Sequence, residues 1–93
     1  MVVRVNPKFV VNQNGSTENV YHANKGEGLP KHNHSYSHLT FCHAGRVRIT
    51  KENIQVELTK DSQPVNLKEI EWHELEALED DTVFVNIFVE GKY

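Results

Sequence analysis

Two short runs restrict this chain to β structure more tightly than anything else in it. Val47-Arg48-Ile49-Thr50-Lys51 and Ile54-Gln55-Val56-Glu57-Leu58 each alternate apolar and polar residues, with Glu52-Asn53 between them. Residues two apart project from the same face of a strand, so each run offers one apolar face, and the short polar link predicts a hairpin. The signature recurs along the chain. Phe9-Val10-Val11 and Asn19-Val20-Tyr21-His22 flank a turn-prone stretch over 12–16. Tyr36 to His43 has the β-branched and aromatic character of a strand, and Ala44-Gly45-Arg46 reads as the tight turn after it. Asn24 to Pro30 is rich in turn formers and reads as a loop. Val83 to Val89 is apolar on both faces apart from Asn86, which predicts a central strand. Many short strands with regular turn signals predict an all-β sandwich or barrel.

Length and charge narrow the function classes. With 93 residues the chain reads as one domain over 1–93, with a core thin enough that oligomerisation would help it. Met1 to Val5 forms an apolar strand with no obvious partner, which predicts strand pairing with a second copy and a homodimer. A net charge of −3 and the lack of a Lys/Arg stripe exclude nucleic acid as an expected partner. No apolar stretch approaches the roughly 18 residues that span a bilayer, and the N-terminus lacks a secretion-signal layout. The single cysteine, Cys42, excludes an internal disulfide and fits a reducing compartment, so the expected location is the cytoplasm.

The chemistry-bearing feature is a set of histidines. His32, His34 and His38 share strand parity, so in one extended strand all three would project from one side. Neutral imidazole offers a lone pair near physiological pH and is the commonest transition-metal ligand. His73 could supply a fourth imidazole from across the fold. Tyr36, Thr40 and Cys42 share that parity or lie beside it and are candidate pocket-lining residues. His22 could reach the cavity or lie on an outer strand face, and His43, of opposite parity to His38, points outward. Around His73, the stretch 68–79 is ambiguous. Its helix formers and the spacing of Ile70, His73 and Ala77 suit a helix, while Ile70 and Trp72 against His73, Leu75 and Ala77 alternate as a strand would.

The run from Gly26 to Gly45 resembles the first motif of the cupin superfamily, Gly-x5-His-x-His-x3-4-Glu-x6-Gly. Gly26, His32, His34, His38 and Gly45 stand at its spacing, with His38 in place of the usual Glu. The substitution is similar to that of small four-histidine cupins. The second motif, Gly-x5-Pro-x-Gly-x2-His-x3-Asn, is met at His73, while Lys68, Ile70 and Ala77 occupy its Pro, Gly and Asn positions. The resemblance implies a double-stranded β-helix, a jelly-roll-like barrel of two antiparallel sheets with the metal inside, and it overrides the helix reading of 68–79. It also implies a dimer.

Such a ligand set has consequences. Four neutral imidazoles leave the full double charge on a divalent ion, and an octahedral ion would keep two positions for water, dioxygen or substrate. The expected ligand is a small anionic organic molecule, and Mn or Fe is favoured as the ion, with Ni or Zn possible. Two functions follow: a metal-dependent oxygenase or isomerase, or a non-catalytic module that binds a small ligand or acts as a sensor around a structural metal.

Overall fold

The computed structural model describes residues 2–33, 37–52, 54–68 and 71–89. Ten strands make up its regular structure: β1 (Val3–Arg4), β2 (Phe9–Gln13), β3 (Ser16–Ala23), β4 (Glu27–His32), β5 (His38–Ala44), β6 (Val47–Lys51), β7 (Ile54–Leu58), β8 (Val65–Leu67), β9 (His73–Ala77) and β10 (Thr82–Val89). They form two five-stranded sheets, ordered β1-β4-β9-β6-β7 and β2-β3-β10-β5-β8. We call these the first and second sheets. All pairs are antiparallel except β1 with β4, which run parallel.

The alternating runs fold as their pattern dictates. Val47 and Ile49 on β6, Leu58 on β7, and Leu75 and Ala77 on β9 turn inward and are buried. Between them, Arg48 and Glu76 face each other on the outside, their ion pair 2.9 Å long. The second sheet meets this layer with Tyr21, Ala23, Cys42, Leu67 and Phe84. Tyr21 and Phe84 are register partners and stack with ring centres 4.8 Å apart. Central β10 lies between β3 and β5, which accounts for its unbroken apolar run. The stretch at His73–Ala77 is a strand, because two neighbours offer it ladder partners and an apolar layer to cover, which outweighs its helical propensity.

Two expectations need correction. The loop expected over Asn24–Pro30 is mostly strand, for β4 begins at Glu27. Gly28 lets β4 approach β9 closely: a Cβ there would collide with the backbone carbonyl of Leu75. Pro30 falls in a β-bulge, where its missing N–H disturbs no regular ladder bond. The second correction concerns the N-terminal strand, which does find a partner within the chain. The Val3 N–H donates to the Gly26 carbonyl at 3.1 Å, and that of Val5 to Gly28 at 2.9 Å. The more open apolar strip is edge strand β2, where Phe9, Val10 and Val11 are all exposed.

Gly45 turns the chain from β5 to β6 with φ of +74°, a left-handed conformation that favours glycine. Gly28 is the more stringent position, because the obstacle is backbone. Gly28→Ala should destabilise the fold by about 1–3 kcal/mol through overpacking. Urea unfolding checks this, and an unchanged midpoint would mean that β4 and β9 can separate freely.

Candidate metal and anion site

Three of the four sequence-selected histidines converge, and they do so from three strands in two sheets. His32 ends β4, His73 opens β9, and the two are register partners in the first sheet. His38 opens β5 in the second sheet. The expected single-strand trio is therefore corrected: the chain passes from one sheet to the other between His32 and His38. The ring centres of His32 and His73 are 4.5 Å apart, and those of His38 and His73 are 5.6 Å apart. Two imidazoles bonded at about 2.1 Å and at right angles around one ion would have ring centres about 4.6 Å apart. His34 and Tyr36 lie outside the described residues.

The bulge in β4 is what aims His32. Leu29 pairs with Leu75 and His32 pairs with His73, so Pro30 and Lys31 together oppose Glu74. In a regular strand, Lys31 would share the inward face of Leu29 and His32 would point out. The extra residue reverses that parity. Lys31 is exposed, its ammonium 5.6 Å from the centre of the Trp72 ring, and His32 turns in beside His73.

Each of the three imidazoles has Nδ1 committed. His32 Nδ1 lies 2.6 Å from the Pro30 carbonyl, and His73 Nδ1 lies 2.8 Å from the Glu71 carbonyl. A carbonyl oxygen can only accept, so both nitrogens must carry the proton. His38 Nδ1 lies 3.2 Å from the Thr40 hydroxyl, which donates its own proton to Asn86 Oδ1 at 2.7 Å. The hydroxyl therefore accepts from Nδ1–H. The carbonyl partners set His32 and His73 with the lone pair on Nε2, and the Thr40–Asn86 series favours the same tautomer for His38, which is the arrangement seen when outer partners orient metal-ligating histidines. Among the described residues, no group of three His, Cys, Asp or Glu side chains is gathered closely enough to hold an ion by itself.

The remaining candidates separate clearly. Thr40 is fully buried and orients His38 as described. Cys42, one inward position beyond Thr40, is part of the apolar core and donates to the Ala44 carbonyl at 3.2 Å. Burial pushes its thiol above the ordinary value, with Glu79 adding to the shift and backbone hydrogen bonds opposing it. His22 is exposed on the outer face, edge-on to Phe9 at 6.1 Å, and so does not line the interior. His43 is likewise exposed.

Sequence reasoning did not pick out three further polar residues, Asn19, Lys51 and Glu71. Asn86 supports Thr40, and its register partner on β3 is the buried Asn19. Asn19 Nδ2 reaches the Tyr21 hydroxyl at 3.5 Å, while its buried Oδ1 has no hydrogen-bond partner among the described residues. Lys51 and Glu71 form an ion pair, Nζ to Oε1 3.4 Å, with side chains only 15% and 21% exposed. For Lys51 a signal was available, because it shares the alternation of Val47 and Ile49. A pocket of about 170 Å³ is lined by Lys31, Thr50, Glu52, Trp72, His73 and Glu74. Lys31, Thr50, Trp72 and Glu74 have outward parity, and His73 brings one imidazole of the cluster into the lining.

The fold has many solved counterparts, whereas no family model and no curated protein matches the sequence. KdgF from Halomonas sp. superposes with a TM-score of 0.78 at 16% identity, covering 87% of this chain and 76% of that one. A cupin-2 domain protein from Shewanella frigidimarina gives 0.74 at 12% identity, covering 90% and 79%. The oxalate decarboxylase of Bacillus subtilis, described for its Mn(II) centres, gives 0.74 at 15% identity, covering 85% of this chain and 22% of that one.

Cys42 has the surroundings of a core residue, and its chemistry should follow. At neutral pH, alkylation by iodoacetamide should be slow in the native protein and fast in urea. Because the folded thiol titrates higher, the unfolded chain loses its proton first, so stability should fall as pH rises from the unfolded thiol value toward the raised folded one. Rapid native alkylation at pH 7 would contradict this placement. The ladder order, the enclosed apolar layer and these neighbours together identify the architecture as the cupin fold, a double-stranded β-helix.

Proposed function

We propose that this protein holds one divalent transition metal through His32, His34, His38 and His73 and uses the centre to bind a small organic anion. The observation that supports this most is that each of the three described imidazoles has a hydrogen-bond partner at Nδ1, which leaves Nε2 as the nitrogen to hold an ion. His34 enters on its spacing from His32 and His38, since it lies outside the described residues.

A bound ion would supply Lewis acidity and exchangeable positions for an oxygen ligand. Mn or Fe is favoured over Ni or Zn, and the Mn(II) centres of the B. subtilis oxalate decarboxylase, a protein of the same fold, are in keeping with manganese. The protein's own residues do the orienting. The Pro30 and Glu71 carbonyls hold His32 and His73, and the Asn86–Thr40 pair holds His38. With no carboxylate in the ligand set, the centre keeps its positive charge and selects an anion. Oxygenase or isomerase chemistry would take place at the exchangeable positions. A binding module is the second reading. It is favoured by the lack of an uncommitted acid or base beside the imidazoles among the described residues, Glu71 being engaged by Lys51.

Untagged protein incubated with Mn(II) or Fe(II) and then dialysed should retain about one equivalent of metal, and His38→Ala should retain less than about a tenth. Protons compete for the imidazoles, so occupancy should fall as the pH is lowered. Wild-type protein that retains none of Mn, Fe, Ni or Zn at pH 8 would contradict the proposal.

A further inference from the structure

We propose that Lys51 receives a carboxylate of the anionic ligand at the mouth of this barrel, and that Glu71 is the internal carboxylate the ligand displaces. The inference deepens the metal-and-anion reading and rests on it for the neighbouring Lewis acid. It specifies the ligand class as a short dicarboxylate, with one end at the ammonium and the other at the imidazole centre.

Register places the residues. His32 pairs with His73, His73 with Lys51, and Lys51 with Ile54, so these four lie in one row across the first sheet. The next row down is Leu29, Leu75, Ile49 and Val56, which turns toward the core. The row containing Lys51 therefore faces the same side at the end of the barrel, where Ile54 is exposed and His73 is buried. Adjacent antiparallel strands place facing residues about 5 Å apart at Cα, so an ammonium lies one strand from an imidazole on the same face.

A lysine held to 15% exposure on an inward row is costly unless paired. Its ion-pair partner among the described residues is Glu71, and that contact is loose. At 3.4 Å it exceeds the roughly 2.7–2.9 Å of a well-formed charge-assisted hydrogen bond. The same Glu71 oxygen also accepts from the Lys68 N–H at 3.3 Å. An ammonium has three protons to donate, and Glu71 is the one carboxylate that pairs with it among the described residues. Glu71 also bears the carbonyl that holds His73 Nδ1, so the ion pair is continuous with the imidazole cluster.

If the pair merely closed the rim, removing either partner would lower stability and leave anion binding unaltered. As an anion receiver, the two residues should act with opposite signs. The test is calorimetric titration of malonate into wild type, Lys51→Met and Glu71→Gln, each in Mn(II)-loaded and metal-free form, with metal content and melting temperature measured on the same samples. Lys51→Met keeps the apolar stem, and Lys51→Gln serves if that variant does not fold. Malonate should bind at least tenfold more weakly to the lysine variant and several-fold more tightly to Glu71→Gln, with metal content unchanged. Acetate, too short to reach both ends, should show little dependence on Lys51 in the loaded protein. Equal malonate affinity in wild type and the lysine variant, or no malonate binding to wild type in either form, would overturn the proposal. Failure of wild type to load metal would instead count against the metal centre, and the metal-free titrations would still decide the role of Lys51.

Discussion

The pairing of β4 with β9 carries the site, and the bulge between Leu29 and His32 is the constraint on which the rest depends. Below the bulge the ladder is tight, with Gly28 admitting β9 at close range and Leu29 and Leu75 sealing the core. Above it, the extra residue turns the strand's inward face from Lys31 to His32. One backbone irregularity therefore converts an apolar wall into the start of an imidazole row. Bulges are known to re-aim side chains next to functional sites, and proline suits this one because it has no proton to offer the ladder.

The second sheet answers with a polar layer. Along β5 the inward residues run His38, Thr40, Cys42, and along β10 the buried partners are Asn86 and Phe84. The sequence thus passes from polar to apolar along the barrel axis within a few residues. Buried polar groups are tolerable only when hydrogen-bonded, and here the Asn86 carbonyl, the Thr40 hydroxyl and the His38 ring satisfy one another in series. The amide carbonyl at the head of that series sets the direction of every proton in it. Catalytic or not, a site built this way carries its preorganisation in strands rather than loops.

Much of this was legible from the residues. Clean alternation in 47–51 and 54–58 gave β6 and β7, and the apolar run 83–89 gave the central strand, because burial on one or both faces leaves a direct trace in the pattern. The spacing of Gly26, His32, His34, His38 and Gly45 pointed to the correct fold. Other features left no such trace. Strand β4 reads as a loop because Gly28 and Pro30 serve a close approach and a bulge, and both depend on a partner more than forty residues away. Parity counting failed at His22, where an inward and an outward reading were equally open, and across His32–His38, where the chain changes sheet. Lys51 escaped notice because a charged residue at an inward position looks like the end of a strand until its row is known.

The proposed centre depends on three imidazoles that bear their protons at Nδ1 and carry their lone pairs at Nε2. Long-range ¹H–¹⁵N correlation spectra of uniformly labelled, metal-free protein at pH 8 measure this directly. His32, His38 and His73 should each show the Nδ1–H tautomer, and Zn(II) should shift their Nε2 signals together, while His22 and His43 are left unmoved. An Nε2–H tautomer at these positions, or a Zn(II) titration that moves none of the three, would contradict the account.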